Sequence, residues 1–253
     1  MSSNRDSSPR QRSPTVSILT YNVHSCIGTD RKIDPHRIAD VIAQTGADII
    51  ALQELDVGRK RTGRIDQAHV IASLLKMEAH FHPALHVEEE KYGDAILTAL
   101  PTRLMKASPL PSLGELRGAL WILVDLPWGA LNVLNTHLGL RNLDRLRQVE
   151  TLLGRDWMGS PEFQALPAII CGDLNAVPSS AAYKALAACF RDVAPARAAR
   201  TFPSRFPLLR LDHIFVSKEF GNVRSEVIST AAARQASDHL PVLAEVEYPA
   251  RSG

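Results

Sequence analysis

The chain has 253 residues, 45% of them hydrophobic, and a formal net charge of +2 at pH 7. That length supports one large domain with a substantial core, and the near-neutral charge neither demands nor excludes an anionic partner. Three cysteines without a Cys-x-x-Cys pair argue against a disulfide framework or a thiolate zinc site.

Residues 1–14 are Ser, Arg, Pro, Gln and Asn with no apolar core, so the sequence predicts a disordered tail and no signal peptide. No apolar run approaches the roughly 18 residues that cross a bilayer, and with this cysteine usage a soluble, cytoplasmic protein is the expectation. Val16 to Tyr21 is β-branched and aromatic, a predicted strand ending at Asn22. Asp34-Pro35 reads as a helix start, with Ile38, Val41 and Ile42 at helical spacing and Gly46 as the stop. Asp48 to Gln53 is a short buried strand with Glu54 at its C-terminal end. The Arg, Lys and Gly content of residues 56–65 predicts a mobile surface loop, and Gln67 to Met77 an amphipathic helix. Ala95 to Thr98 and Ala119 to Val124 are predicted strands, and Pro127-Trp128-Gly129 is a hairpin turn into Ala130 to His137. Leu143 to Leu153 and Ser180 to Cys189 are predicted helices, and Ala168 to Cys171 a strand that stops at Gly172-Asp173. Cys171 reads as a buried small hydrophobe. His213 to Ser217 and Pro241 to Tyr248 complete the strands. Strands outnumber helices and no repeat is visible, which suits two mixed sheets packed face to face with helices outside, in one domain over residues 15–250.

Six polar segments begin or end these β runs: Tyr21-Asn22-Val23-His24, Gln53-Glu54, Asn135-Thr136-His137, Gly172-Asp173-Leu174-Asn175, Arg210-Leu211-Asp212 and Ser237-Asp238-His239. Polar residues that recur at strand ends converge on one face of a sheet, and this set suits a divalent metal and a phosphate. A carboxylate such as Glu54 behind Ile-Ile-Ala-Leu-Gln is costly to bury alone. A hard cation offsets that cost, and oxygen donors favour magnesium or manganese; an exposed strand-end Glu is the plain alternative. Asp173 and Asn175 are two apart, so both side chains can face one side while Leu174 turns away. One can take a proton from water and the other donate to a phosphate oxygen; the alternative is an Asx turn. His239 beside a carboxylate can be held charged and stabilise a phosphoryl group in flight, with Asp212 orienting it and His213 pointing away. His137 closes another strand within reach of a phosphate, Asn22 can hydrogen-bond a metal ligand, and Arg117 can pair with an anionic substrate or lie on the surface. P-loop, Gly-x-Ser-x-Gly and His-Glu-x-x-His patterns are absent from the sequence.

Taken in order, the six segments resemble the endonuclease/exonuclease/phosphatase family, in a bacterial-type member. The family spans DNase I, abasic endonucleases of the exonuclease III type, inositol-polyphosphate 5-phosphatases and neutral sphingomyelinases. The resemblance covers residues 15–248 and implies a DNase I-like four-layer α/β/β/α sandwich that cleaves phosphate esters with Mg2+, which Mn2+ can replace. It implies that Glu54 is the principal metal ligand, with Asn22 beside metal and phosphate and Asp238 a second acid near the metal. It further implies that Asp173 activates the attacking water, Asn175 steadies the phosphoryl group, and Asp212 partners the catalytic His239. His137 stands where members carry His or Tyr. The chain departs from the family pattern at His24, where nucleases of the abasic type have an acid, and at Asp94, where Gly-Asn-Ala reads Gly93-Asp94-Ala95.

The substrate stays open at this level. Nucleic acid calls for a basic groove, for which Arg59, Lys60, Arg61 and Arg64 form one cluster and Arg141, Arg145 and Arg147 another. A lipid or small phosphodiester calls for apolar residues at the mouth, and Phe202, Phe206, Leu208 and Leu209 are candidates. The sequence favours a general phosphodiesterase, most specifically a nuclease, acting as a monomer. A phosphomonoesterase, a phospholipid phosphodiesterase and a non-catalytic phosphate-binding module are the alternatives.

Overall fold

A computed structural model describes residues 14–194 and 199–249. Apart from Pro14, the expected disordered tail lies outside the described residues. Two six-stranded mixed sheets form the centre. The first contains β1 (Thr15–Asn22), β2 (Ile49–Val57), β3 (Glu78–Val87), β4 (Glu90–Thr98), β11 (Val223–Val227) and β12 (Val242–Glu247), in the order β11-β12-β1-β2-β4-β3. The second contains β5 (Thr102–Leu110), β6 (Arg117–Leu126), β7 (Gly129–His137), β8 (Ala168–Asp173), β9 (Arg191–Asp192) and β10 (Asp212–Val216), in the order β5-β6-β7-β8-β10-β9.

Side-chain alternation builds the layers. Ile49 and Ala51 of β2 join the core between the sheets, whereas Ile50 and Leu52 face outward under α1 (Pro35–Ala43), α2 (Gln67–Leu75) and α6 (Ala231–Ala236). On β8, Ile169 and Cys171 face the central core, and Ala168 and Ile170 pack under α3 (Asn142–Leu153), α4 (Pro161–Gln164) and α5 (Ala181–Cys189). The result is the expected α/β/β/α sandwich. Most of the helices start on a side-chain cap: Asp34, Asp66, Ser160, Ser180 and Thr230 each accept from the backbone N–H three residues on. All three cysteines are unpaired, with Cys171 buried as expected. Among the described residues, no helix is long and apolar enough to cross a membrane.

Polar side chains bolt the sheets together beneath one edge. Asn135 of β7 donates from Nδ2 to the carbonyls of Leu52 and Ala95 in the opposite sheet, 2.9 Å each, and accepts from Gln53 Nε2 at 2.8 Å. Two parallel pairs, β1 with β2 and β7 with β8, end at this edge. Asn22 is there paired with Gln53, and His137 with Asp173. Asp212 opens β10 directly opposite Asp173.

Two sequence expectations need correction. The strand carrying Glu54 does not stop there but runs on to Val57. The segment 56–65 is not a free loop: Asp56 is fully buried and holds Arg61 through paired bonds of 2.7 and 2.8 Å, with Arg59 close to Asp56 and Glu90.

Candidate active site

Glu54 reaches the site through a bulge. Leu52 pairs with Ala95 and Leu55 with Gly93, so Gln53 and Glu54 together face the single residue Asp94. Glu54 adopts φ +62°, a left-handed conformation that re-aims its carboxylate off the sheet. Asn22 then joins the two sheets at their ends. Its Nδ2 donates to Glu54 Oε1 at 2.9 Å and to Asp173 Oδ2 at 3.0 Å. Its own oxygen accepts from the His24 backbone at 3.0 Å. Asn22 therefore orients two carboxylates through its nitrogen, while the His24 backbone holds its oxygen.

Gly172, at φ +142°, ends β8 so close to β7 that a Cβ would lie 1.8 Å from the Thr136 carbonyl. Beyond it, Asp173 Oδ1 accepts the Asn175 backbone N–H at 2.8 Å, an Asx turn that fixes Asn175 at φ +47° while Leu174 is buried. Asn175 Nδ2 donates to the Leu138 carbonyl at 2.9 Å and lies 3.0 Å from His137 Nε2. Both amide hydrogens are engaged, so donation to a phosphate oxygen, expected from the sequence, requires exchange of the His137 bond. Burial, then Arg117 and His239, hold His137 well below the ordinary histidine range, so it is neutral. A neutral ring that accepts at Nε2 carries its proton on Nδ1.

His239 Nδ1 donates to Asp212 Oδ2 at 2.9 Å, and its Nε2 lies 3.6 Å from Asp173 Oδ2. Burial opposes the imidazolium, but Asp212 and then Asp173 overcome it and raise the ring to about 10. Burial also pushes the Asp173 carboxyl up, to about 7, a rise that His239 moderates and Asp212 reinforces. The gap between Asp173 and His239 is too long for a hydrogen bond and of a length that one oxygen atom bridges. His213 points away, as expected, with Nε2 on the Ala176 carbonyl at 2.8 Å.

Arg117 is 3% exposed, not a solvent-facing anion receptor. Nη2 pairs with Glu115 at 2.6 Å, while Nε and Nη1 lack a partner of normal geometry. Its charge bears on His137 and on Asp94, whose buried carboxyl rises to about 7 against the pull of Arg117. Asp238 is partly exposed, 3.7 Å from His24 Nδ1. The two departures noted in the sequence thus both abut the site.

Several positioning residues escaped the sequence reading. Thr201 Oγ1 accepts from the backbone of Leu211 and Asp212, and the Thr201 carbonyl accepts from Leu240, so one hairpin fixes both members of the Asp212–His239 pair. Phe202 packs on the His239 ring at 4.7 Å between centroids. Ser237 Oγ donates to the Asn22 carbonyl and accepts from the His239 backbone. The only available signal was the position of Ser237 inside Ser-Asp-His.

Glu54 Oε1 and Asp173 Oδ2 converge on the Asn22 amide nitrogen, with His137 Nε2 3.9 and 3.5 Å from them, and these two carboxylates fit a hard divalent cation beside them. Asp173, Asp212 and His239 also lie within metal-binding distance of one another. Within that trio Asp212 holds His239 by a hydrogen bond, while Asp173 stands 3.6 Å from the other ring nitrogen.

The model of the endonuclease/exonuclease/phosphatase family matches residues 19–239. The chain belongs to this family. Members are hydrolases of phosphate esters and are typically metal-dependent. The uncharacterized protein YbhP of Escherichia coli strain K12 is 28% identical over 246 residues, covering 90% of this chain and 95% of YbhP. An endonuclease/exonuclease/phosphatase structure from Beutenbergia cavernae DSM 12333 superposes with a TM-score of 0.73 at 21% identity, covering 93% of this chain and 72% of that one. The mannosyl-6-phosphatase Bt3783 of Bacteroides thetaiotaomicron VPI-5482 does so with a TM-score of 0.73 at 21% identity, covering 91% and 99%. These structures share the DNase I-like fold of the family.

Proposed function

We propose that residues 15–250 form one catalytic domain that hydrolyses a phosphodiester by in-line attack of water, with Mg2+ as cofactor. One observation carries this reading: Asp173, whose carboxyl burial pushes up to about 7, stands 3.6 Å from His239, whose ring Asp212 and Asp173 hold above the ordinary histidine range. Asp173 takes the proton of a water that contacts it beside the His239 ring, because a base works best when its pKa lies near the working pH. The water oxygen bonds to phosphorus as the bond to the leaving oxygen breaks. His239, held by Asp212, stabilises the charge that grows on the phosphoryl oxygens, and Asn175 joins it when released from His137. Arg117 adds a fixed positive charge beneath His137. A cation held by Glu54 would screen the phosphate and polarise it as a Lewis acid.

The basic clusters support nucleic acid less than the sequence suggested. Arg59 and Arg61 lie against Asp56 and Glu90, and Arg145 bonds the carbonyls of Gly139 and Leu140. Hydrolysis of bis-p-nitrophenyl phosphate, p-nitrophenyl phosphate and DNA and RNA oligonucleotides, in magnesium, manganese and EDTA, tests the proposal. Diester cleavage that EDTA abolishes is the expected result. Preference for the monoester, or activity indifferent to EDTA, refutes it, and rapid oligonucleotide cleavage restores the nuclease reading.

A further inference from the structure

The reaction centre opens on one side into a cavity of about 670 Å³. Asn175 forms part of its wall, and the apolar lining is Leu143 and Leu146 of α3, Val177 after β8, and Leu209 and Leu211 of the hairpin. Because Asn175 also touches His137, whatever fills this cavity adjoins the phosphate position. The charge of Asp173 bears on Arg145 across the same cavity.

The lining chemistry is selective. No aromatic side chain borders the cavity, so a nucleobase has nothing to stack on. No carboxylate borders it, and the hydrogens of Arg145 are engaged by Gly139, Leu140 and Asn142. Asn142, Ser179 and Ser180 complete the polar part of the lining, beside the five larger apolar side chains. The apolar surface continues outside. Among the described residues, Leu143 and Leu209 of the lining are exposed, as are Leu140 just before α3 and Phe206 and Leu208 on the connection that carries Leu209. Leu113 and Leu116, also exposed, lie on the β5–β6 connection, whose Leu113 backbone donates to Asp144 at the start of α3, and Leu143 and Leu209 both line the cavity. Exposed apolar side chains concentrated at one place mark a binding surface.

We propose that this cavity seats an aliphatic chain attached to the phosphate, so that the substrates are phosphoesters of aliphatic alcohols. The inference rests on Asp173, Asn175 and His239 as the phosphate site, and it refines the substrate class of the reaction above.

The test is calorimetric binding of methyl, butyl and hexyl phosphate to the full chain with magnesium, all below micellar concentration. Affinity should rise about two- to fourfold per added methylene, in keeping with the burial of CH2 groups in a partly open cavity. From methyl to hexyl that amounts to about 30-fold or more. The double variant Leu143→Asn, Leu209→Asn changes two exposed side chains and should flatten the series to less than about fivefold. A flat series in the wild type, no binding of any alkyl phosphate, or an undiminished slope in the double variant overturns the proposal. Binding that depends on chain length without turnover of any ester upholds the cavity and removes the reaction. Diester turnover with a flat alkyl series does the reverse.

Discussion

Asn135→Leu tests whether the bolt between the sheets sets the site. Leucine has a similar volume, so little cavity forms, but the Leu52 and Ala95 carbonyls lose donors at 2.9 Å. Gln53 Nε2 keeps Thr20 Oγ1 and the Ala51 carbonyl, both at 3.1 Å, so its amide nitrogen is not orphaned. Three buried bonds lost at about 1 kcal/mol each, the one from Gln53 included, give about 3 kcal/mol. For a chain of this size that lowers the melting temperature by about 6–12 °C. Calorimetric unfolding in EDTA, which removes metal linkage, measures it. Asn135 lies two residues before His137, and its partner Gln53 precedes Glu54, so diester turnover at 25 °C should also fall. A melting temperature within about 3 °C of wild type would refute the reasoning.

Asp173→Asn should cut turnover by about 10³-fold or more without lowering the melting temperature, because burial already disfavours the carboxylate; a residual rate above a tenth contradicts its role as base. The pH profile of kcat/KM should rise through about 7 as Asp173 deprotonates and fall through about 10 as His239 does. Asp212→Asn should bring the descending limb to lower pH, and an unmoved limb dissociates Asp212 from His239. Asp94 binds its proton up to about 7 when folded but only to about 3.8 when unfolded, so the folded state holds more protons between those values and loses stability as pH rises through them. Asp94→Asn should remove that slope, on the order of 3 kcal/mol, in urea titrations at pH 5 and 8; equal slopes in both proteins count against it. Glu54→Gln should weaken magnesium binding at least tenfold by calorimetry, and unchanged affinity displaces the metal from Glu54.

The sequence made the inner strands legible and hid the outer ones. Each strand that escaped prediction, β3, β5, β9 and β11, closes an edge of a sheet. Edge strands are half-buried and carry polar residues and proline, as in Glu78-Ala79-His80-Phe81-His82-Pro83 and Lys106-Ala107-Ser108-Pro109, so their hydrophobic alternation is weak. The central strands, buried on both faces, read as continuous apolar runs. The polar residues at their ends were legible for the same reason, since each interrupts such a run. The Glu54 bulge, the nitrogen-first orientation of Asn22 and the burial of Arg117 depend on tertiary neighbours up to 151 residues apart, as Asn22 and Asp173 are, and no local pattern encodes them.

His24, Ser25 and Cys26, which follow Asn22, together with Glu54 and Asn175, all hold positive φ without being glycine. Such conformations each cost on the order of 1 kcal/mol and persist only where the surroundings enforce them. A laboratory selection for heat tolerance alone would therefore find gains at these positions, glycine at 54 or 175 among the first, and the gains at 54 and 175 would each remove a side chain of the candidate site. Directed evolution of this enzyme toward robustness would drift toward inactivity unless turnover were screened in every round.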